Sequence, residues 1–229
     1  MVIAGRKSRK LLHDGDRMTQ PDFHRAYLAM PENYRAELIG GIVHEPSPLG
    51  WPHGSHHARL ICICENYAGP TRGLEVADGA TVILGNEDEV QPDVVLRIMP
   101  EYGGQSKNTR IKKATYAAGA PELVAEVAHS SRDIDLNRKK ERYTVAGVLE
   151  YVVVCLEPLA IYWFDLSNNR ELNCGPYGVF KSEVFPGLWI HGDALLQLDY
   201  ECSMCTLNQG LKTPEYRDFA DKLARRKIR

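Results

Sequence analysis

The chain lacks any apolar run long enough to cross a bilayer. Its longest, residues 151–156 and 80–84, are strand-length, against the roughly 18 to 20 residues that a membrane helix needs. No membrane span is expected. Behind its first basic residues, Arg6, Lys7, Arg9 and Lys10, only Leu11 and Leu12 follow. That is too little for the apolar segment of a secretory signal, so a cytoplasmic location is expected. A disulfide framework is lacking: Cys62, Cys64, Cys155, Cys174, Cys202 and Cys205, about average in number for this length, have neither the density nor the spacing of a disulfide scaffold and read as thiols. A dominant charge is missing too. With 28 Lys+Arg against 30 Asp+Glu, no global positive field exists to hold a polyanion, and nucleic-acid contact would need local basic patches. No GxSxG, P-loop or dinucleotide fingerprint occurs, so serine hydrolase, nucleotide triphosphatase and Rossmann readings lack support.

What is present is an ordinary globular composition, 44% hydrophobic and 25% charged over 229 residues, enough to bury a sizeable core. Residues 1–17 are polar, basic and aperiodic, and read as a flexible leader. Thr19, Pro21 and Asp22 open a first helix to about Met30. Gly40-Gly41 between β-prone triplets signals a hairpin over residues 37–44. A second helix is expected from His56 to about Tyr67, then strands near 74–77, 80–84 and 92–98. The polar stretch 100–117, with Lys107, Arg110, Lys112 and Lys113, reads as a mobile or partner-contacting loop. Residues 122–128 form a strand, 134–146 a charged helix, 150–156 and 160–166 a meander, and 184–190 a last strand. The order argues for one mixed-sheet α/β domain, residues 18–198, followed by a charged extension, 199–229, with little apolar face.

The chemistry concentrates where acids meet apolar strands. Asp93 follows Pro92 at the start of one, and Glu126 lies within another. Two acids at buried strand edges repel each other unless a cation separates them. A hard divalent ion such as Mg²⁺ takes one or two carboxylates and keeps positions for water and phosphate oxygens. On the helix that follows, Asp135, Lys139 and Tyr143 share a face at i, i+4, i+8. A lysine directed at the acids could orient water or offset charge on a pentavalent phosphate.

The ordered set Glu37 to Val43, Ser47-Pro48, His57, Pro92-Asp93, Gly119 to Val127, Asp135 to Tyr143, Ala146 to Val154 and Phe185 to Leu188 resembles the Uma-two family, restriction-endonuclease-like proteins of the PD-(D/E)XK nuclease superfamily. The resemblance runs from about Met18 to Leu198. It implies a restriction-endonuclease-like core, a central mixed sheet flanked by helices, with Asp93 and Glu126 as metal ligands and Glu37 as a supporting acid. The superfamily's lysine, two residues after the second acid, is Ala128 here. The resemblance moves it onto the next helix, to Lys139 or its neighbour Lys140. Gly40 and His129-Ser130 also depart from the commonest family pattern.

The leading reading is a Mg²⁺-dependent endonuclease, with Mn²⁺ as a substitute, hydrolysing DNA phosphodiesters through Asp93, Glu126, Lys139 and Glu37. The alternative is a nuclease-fold protein that no longer cuts and serves as a nucleic-acid-binding or assembly subunit. A homodimer suits cutting both strands of a duplex. His53, His56 and His57 read as polar residues at a helix start rather than a zinc site, with His57 edging the cleft. Tyr143 reads as a core-edge aromatic. The basic loop and the tail, with Lys222, Arg225, Arg226, Lys227 and Arg229, read as phosphate contacts.

Overall fold

The computed structural model describes residues 11–227, so most of the expected leader, residues 1–10, lies outside the described residues. Residues 11–17 pack along the first hairpin. Leu12 is buried, and the Gly15 N–H donates to the Val43 carbonyl at 2.8 Å.

Helix α1 spans Gln20–Tyr27. Strands β1 (Glu37–Ile39) and β2 (Ile42–His44) form the expected hairpin. Gly40 and Gly41 both adopt positive φ, +59° and +74°, as its two-residue turn demands. Helix α2 (Trp51–Ala68) starts five residues before His56, because Pro52 fits a first turn where its missing N–H costs nothing. Strands β3 (Leu74–Asp78), β4 (Val82–Ile83), β5 (Glu89–Val90) and β6 (Val94–Ile98) follow. The stretch expected as a loop is instead a second hairpin, β7 (Lys107–Ile111) and β8 (Ala114–Ala118). Its turn residue Lys112 takes φ +54° without the Gly or Asn that usually marks such a turn. Strand β9 is Leu123–Ala128. A π-helical turn, Ile134–Lys139, leads into α3 (Lys140–Ala146). The chain continues through β10 (Glu150–Leu156), β11 (Leu159–Asp165) and β12 (Arg170–Glu171). In place of one strand over 184–190, β13 (Val179–Lys181) pairs with β14 (Trp189–His191).

The strands make two six-stranded sheets and this short ribbon. One sheet runs β2-β1-β5-β4-β8-β7 and the other β12-β11-β10-β9-β6-β3. In the second, β9 and β10 are parallel and connected through α3, while their neighbours are antiparallel. Every residue of β9 is buried, as expected of a strand covered on both faces. Alternation then decides which core each residue joins. Leu123, Ala125 and Val127 share one cluster with Leu60, Ile63 and Tyr67 of α2. Val124 and Ala128 join the other, with Tyr143 of α3. Glu126 lies between those two and therefore points toward α3.

Beyond residue 198 the chain forms α4 (Gly192–Leu196) at its approach, then α5 (Tyr200–Gly210) and α6 (Pro214–Arg225). The segment expected to lack an apolar face carries one. Leu207 and Leu223 are buried in the main core, with Tyr216 and Phe219 packed against it. A Cβ at Gly210 would collide with the Gly187 carbonyl, so the backbone of α5 seats directly on the Phe185-to-Leu188 turn. No helix among the described residues is long and apolar enough to cross a membrane.

Candidate active site

Register brings the two acids together. Val94 of β6 faces Ala125 of β9, so one step outward places Asp93 opposite Glu126. The Asp93 N–H points to Glu126 Oε2 at 3.3 Å. The Val127 N–H donates to Asp93 Oδ2 at 2.7 Å, which locks each acid to the neighbouring strand.

From the opposite side, Lys139 reaches in from the π-helical turn. Its Nζ stands 2.9 Å from Glu126 Oε1, 2.9 Å from Glu37 Oε2 and 3.8 Å from Asp135 Oδ1. The wider turn ends on Lys139 itself, with Asp135 one i,i+4 step away on the same face. Lys140 turns away and sets its Nζ 3.8 Å from the centroid of the Phe164 ring, so of the two candidate lysines it is Lys139 that reaches the acids. Tyr143 OH donates to Glu126 Oε1 at 2.9 Å, so this tyrosine contacts the site rather than merely bordering the core. Glu37 sits on β1, and its Oε1 accepts from the Gln91 N–H at 2.6 Å. All four sequence-derived site residues, Glu37, Asp93, Glu126 and Lys139, converge.

Two histidines complete the arrangement. His53 Nε2 lies 3.2 Å from Asp93 Oδ2. His57 Nε2 lies 2.7 Å from the Asp93 carbonyl oxygen and 3.1 Å from Asp78 Oδ1. They stand at i,i+4 on α2 and so face the same way. His56 points elsewhere, to the carbonyls of Pro52 and Leu196. His53 was the residue sequence reasoning missed. Its i,i+4 spacing to His57 is the available signal, obscured because the apolar spacing starts the helix only at His56 and leaves His53 as a polar residue at its start.

Burial and charge set the protonation of this cluster. Burial raises Asp93, but hydrogen bonds from His53 and the Val127 N–H outweigh it and hold the carboxyl below its ordinary value. Glu126 is raised to about 8: burial dominates, Lys139 opposes it, and Asp93, Asp135 and Glu37 add to it. Burial lowers Lys139, yet Glu126, Glu37 and Asp135 hold it well above its ordinary value, so it stays charged. Burial also raises Asp135, against the pull of Lys139. Three carboxyls thus share one ammonium, and a fourth, Asp93, meets Glu126 through its N–H, an excess of acid that favours a further cation. The oxygens available to one are Asp93 Oδ1 and Glu126 Oε2, since Oδ2 and Oε1 are engaged by two partners each. The opening is at Asp93, Glu37 and His57, whose side chains are 15–17% exposed, against 6–7% for Glu126 and Lys139.

Residues 21–197 match the Uma-two family, described as "Putative restriction endonuclease". A crystal structure from Anabaena variabilis, described as a putative nuclease belonging to DUF820, superposes with a TM-score of 0.59 at 14% sequence identity. It covers 76% of this chain and 96% of its own. At that identity the likeness establishes a shared nuclease-like fold. A comparison with curated proteins finds no match. The match over residues 21–197 spans more than half of the sequence, and the chain belongs to the Uma-two family of restriction-endonuclease-like proteins.

Proposed function

We propose that this protein is a divalent-metal-dependent endonuclease that hydrolyses DNA phosphodiester bonds, with Mg²⁺ as the cation and Mn²⁺ as a substitute. One observation carries the reading: the excess of carboxylate over ammonium around Lys139, with Asp93 Oδ1 and Glu126 Oε2 left available. That donor set suits a hard cation, because oxygen ligands with room for water are what such ions take. When bound, the ion would polarise a phosphoryl oxygen and lower the pKa of a water.

The chain's own residues divide the remaining work. Asp93, kept ionised by its hydrogen bonds, and Glu126 hold the cation. Lys139 spends its contacts on Glu126, Glu37 and Asp135, so its role is to fix these acids at this spacing and to ease the ionisation of Glu126 against its burial. Tyr143 fixes the other lone pair of Glu126 Oε1. Glu37, gripped by the Gln91 N–H and Lys139, completes the acidic rim. In the net reaction a water oxygen bonds to phosphorus, the P–O ester bond breaks, and the leaving oxygen takes a proton.

DNA as the substrate is supported by the family description and by exposed cations near the fold's edges: Lys107, Arg110, Lys112 and Lys113 on the β7–β8 hairpin, and Lys222 and Arg225 on α6. Such contacts hold phosphate and weaken with salt. Two copies acting as a homodimer would serve both strands. Six free thiols suit the cytoplasm.

The test is conversion of supercoiled closed-circular DNA to nicked circles, with RNA as the comparison substrate. Nicking in Mg²⁺ or Mn²⁺ that EDTA abolishes is the expected result. Intact plasmid under all metal conditions would overturn the proposal.

A further inference from the structure

The two oxygens of Asp93 have different surroundings. Oδ2 receives the Val127 N–H at 2.7 Å and His53 Nε2 at 3.2 Å. Oδ1 faces His57 Nδ1 at 3.8 Å. The tautomer of His57 is set by its other nitrogen. Nε2 lies between two acceptors, the Asp93 carbonyl oxygen and Asp78 Oδ1, so it carries a ring hydrogen and donates. In that tautomer of the neutral ring, Nδ1 is the nitrogen that offers a lone pair.

At 3.8 Å, Nδ1 and Asp93 Oδ1 are too far apart for a hydrogen bond. Two ligands on one ion with bonds of about 2.1 Å stand roughly 3–4 Å apart. The polar-helix reading of His57 accounts for Nε2, which ties α2 to the Asp93 backbone, and leaves the placement of Nδ1 unexplained. Ligand atoms of His53, His57 and Asp93 all lie within 4.8 Å of one another. His53 Nδ1 is buried without a hydrogen-bond partner, so the second ring nitrogen that a ligating histidine normally anchors is not anchored there. That favours His57 over His53 as the ligand.

We propose that His57 Nδ1 binds the metal beside Asp93 Oδ1, making a mixed nitrogen–oxygen centre whose intrinsic affinity for divalent transition metals such as Mn²⁺, Co²⁺ and Ni²⁺ exceeds that for Mg²⁺, the more abundant cation. The proposal rests on the reading of Asp93 and Glu126 as the cation site. Imidazole suits transition metals, whereas Mg²⁺ is held by oxygen. His53 acts as a positioning residue: it engages Oδ2 and leaves Oδ1 turned toward His57.

The test is pulsed electron paramagnetic resonance of the full chain loaded with Mn²⁺, together with competitive titration of Mn²⁺, Co²⁺ and Mg²⁺. Expected are a ¹⁴N coupling to Mn²⁺ in the wild type and its loss in His57→Ala. His57→Ala and His57→Gln should weaken Mn²⁺ and Co²⁺ about 10- to 100-fold, with a smaller change for Mg²⁺. The wild-type spectrum needs no variant to fold. Bound Mn²⁺ without a nitrogen coupling overturns the imidazole ligand and leaves the carboxylate reading standing. An equal loss of Mn²⁺ and Mg²⁺ in a folded His57 variant also overturns it. If the wild type binds no divalent ion, both readings fall.

Discussion

Lys139 Nζ stands 2.9 Å from Glu126 Oε1, and the two residues meet from different elements, a helical turn and a strand. The ammonium that the superfamily places two residues along the strand therefore arrives from across the core. Removing it strands Glu126, Glu37 and Asp135 as buried carboxyls without a counter-charge. Breaking a buried pair in this way costs about 3–5 kcal/mol. Lys139→Met should lower unfolding stability by that order in denaturant titration and abolish cleavage. Lys140→Met, losing only a cation–π contact, should cost about 1 kcal/mol or less. Equal effects of the two substitutions would refute the assignment.

Glu126 links metal binding to pH. Its carboxyl is raised to about 8, so the folded protein holds this proton more tightly than the unfolded chain, where glutamate titrates near 4.3. The stability it contributes is complete below about 4.3 and is lost as pH rises through about 8. Lys139, held well above its ordinary value, loses its contribution only at more alkaline pH. A divalent ion selects the carboxylate, so binding must expel the proton on the acid side of that range. Calorimetry in buffers of differing ionisation enthalpy should show proton release at about pH 6.5 that fades by about pH 9. Release that is unchanged across this range would contradict the account.

Glu150 is a buried acid away from the site, with a structural task. It accepts from Trp163 Nε1 at 3.1 Å, Ser182 Oγ at 2.7 Å, and the N–H groups of Glu183 at 2.7 Å and Val184 at 3.1 Å. Three of these bonds fasten the loop between β13 and β14 to β10, and the fourth ties in Trp163 of β11. Glu150→Ala leaves four donors unsatisfied and should cost about 3 kcal/mol or more, read as a fall in unfolding midpoint. Metal affinity of the folded variant should match the wild type within error, since Glu150 does not touch the cation site.

The C-terminal helices are integral to the packing of the main core. Leu223 is 1% exposed, and its truncation should cost about 2–5 kcal/mol by thermal or chemical unfolding. Truncation of the chain after residue 198 should be more damaging still. If the 199–229 segment were a detached extension, Leu223→Ala would leave stability unchanged.

Much of this site could be read from the sequence because its signals are local or ordered. The Gly40-Gly41 turn, the Pro92-Asp93 strand start and the Asp135–Lys139–Tyr143 helical spacing each fix a short piece of geometry. What was not legible depends on distant partners. Strand β5 is two residues long and exists only because β1 and β4 flank it. The β7–β8 hairpin turns on Lys112 and Lys113 without a turn signature. The apolar face of α6 consists of Tyr216, Phe219 and Leu223 diluted among charges, and its meaning depends on Tyr67 and Phe185 waiting across the core. His53 fell outside the helix that the sequence suggested, so its approach to Asp93 was hidden.

The most direct measurement is the rate of plasmid nicking against Mn²⁺ concentration for the wild type, Asp93→Asn and Glu126→Gln, with circular dichroism confirming that each variant is folded. Metal-dependent nicking by the wild type, reduced to background in both folded variants at every Mn²⁺ concentration, is the predicted result. Cleavage by either folded variant at a rate close to the wild type would contradict the claim that these two carboxylates hold the catalytic cation.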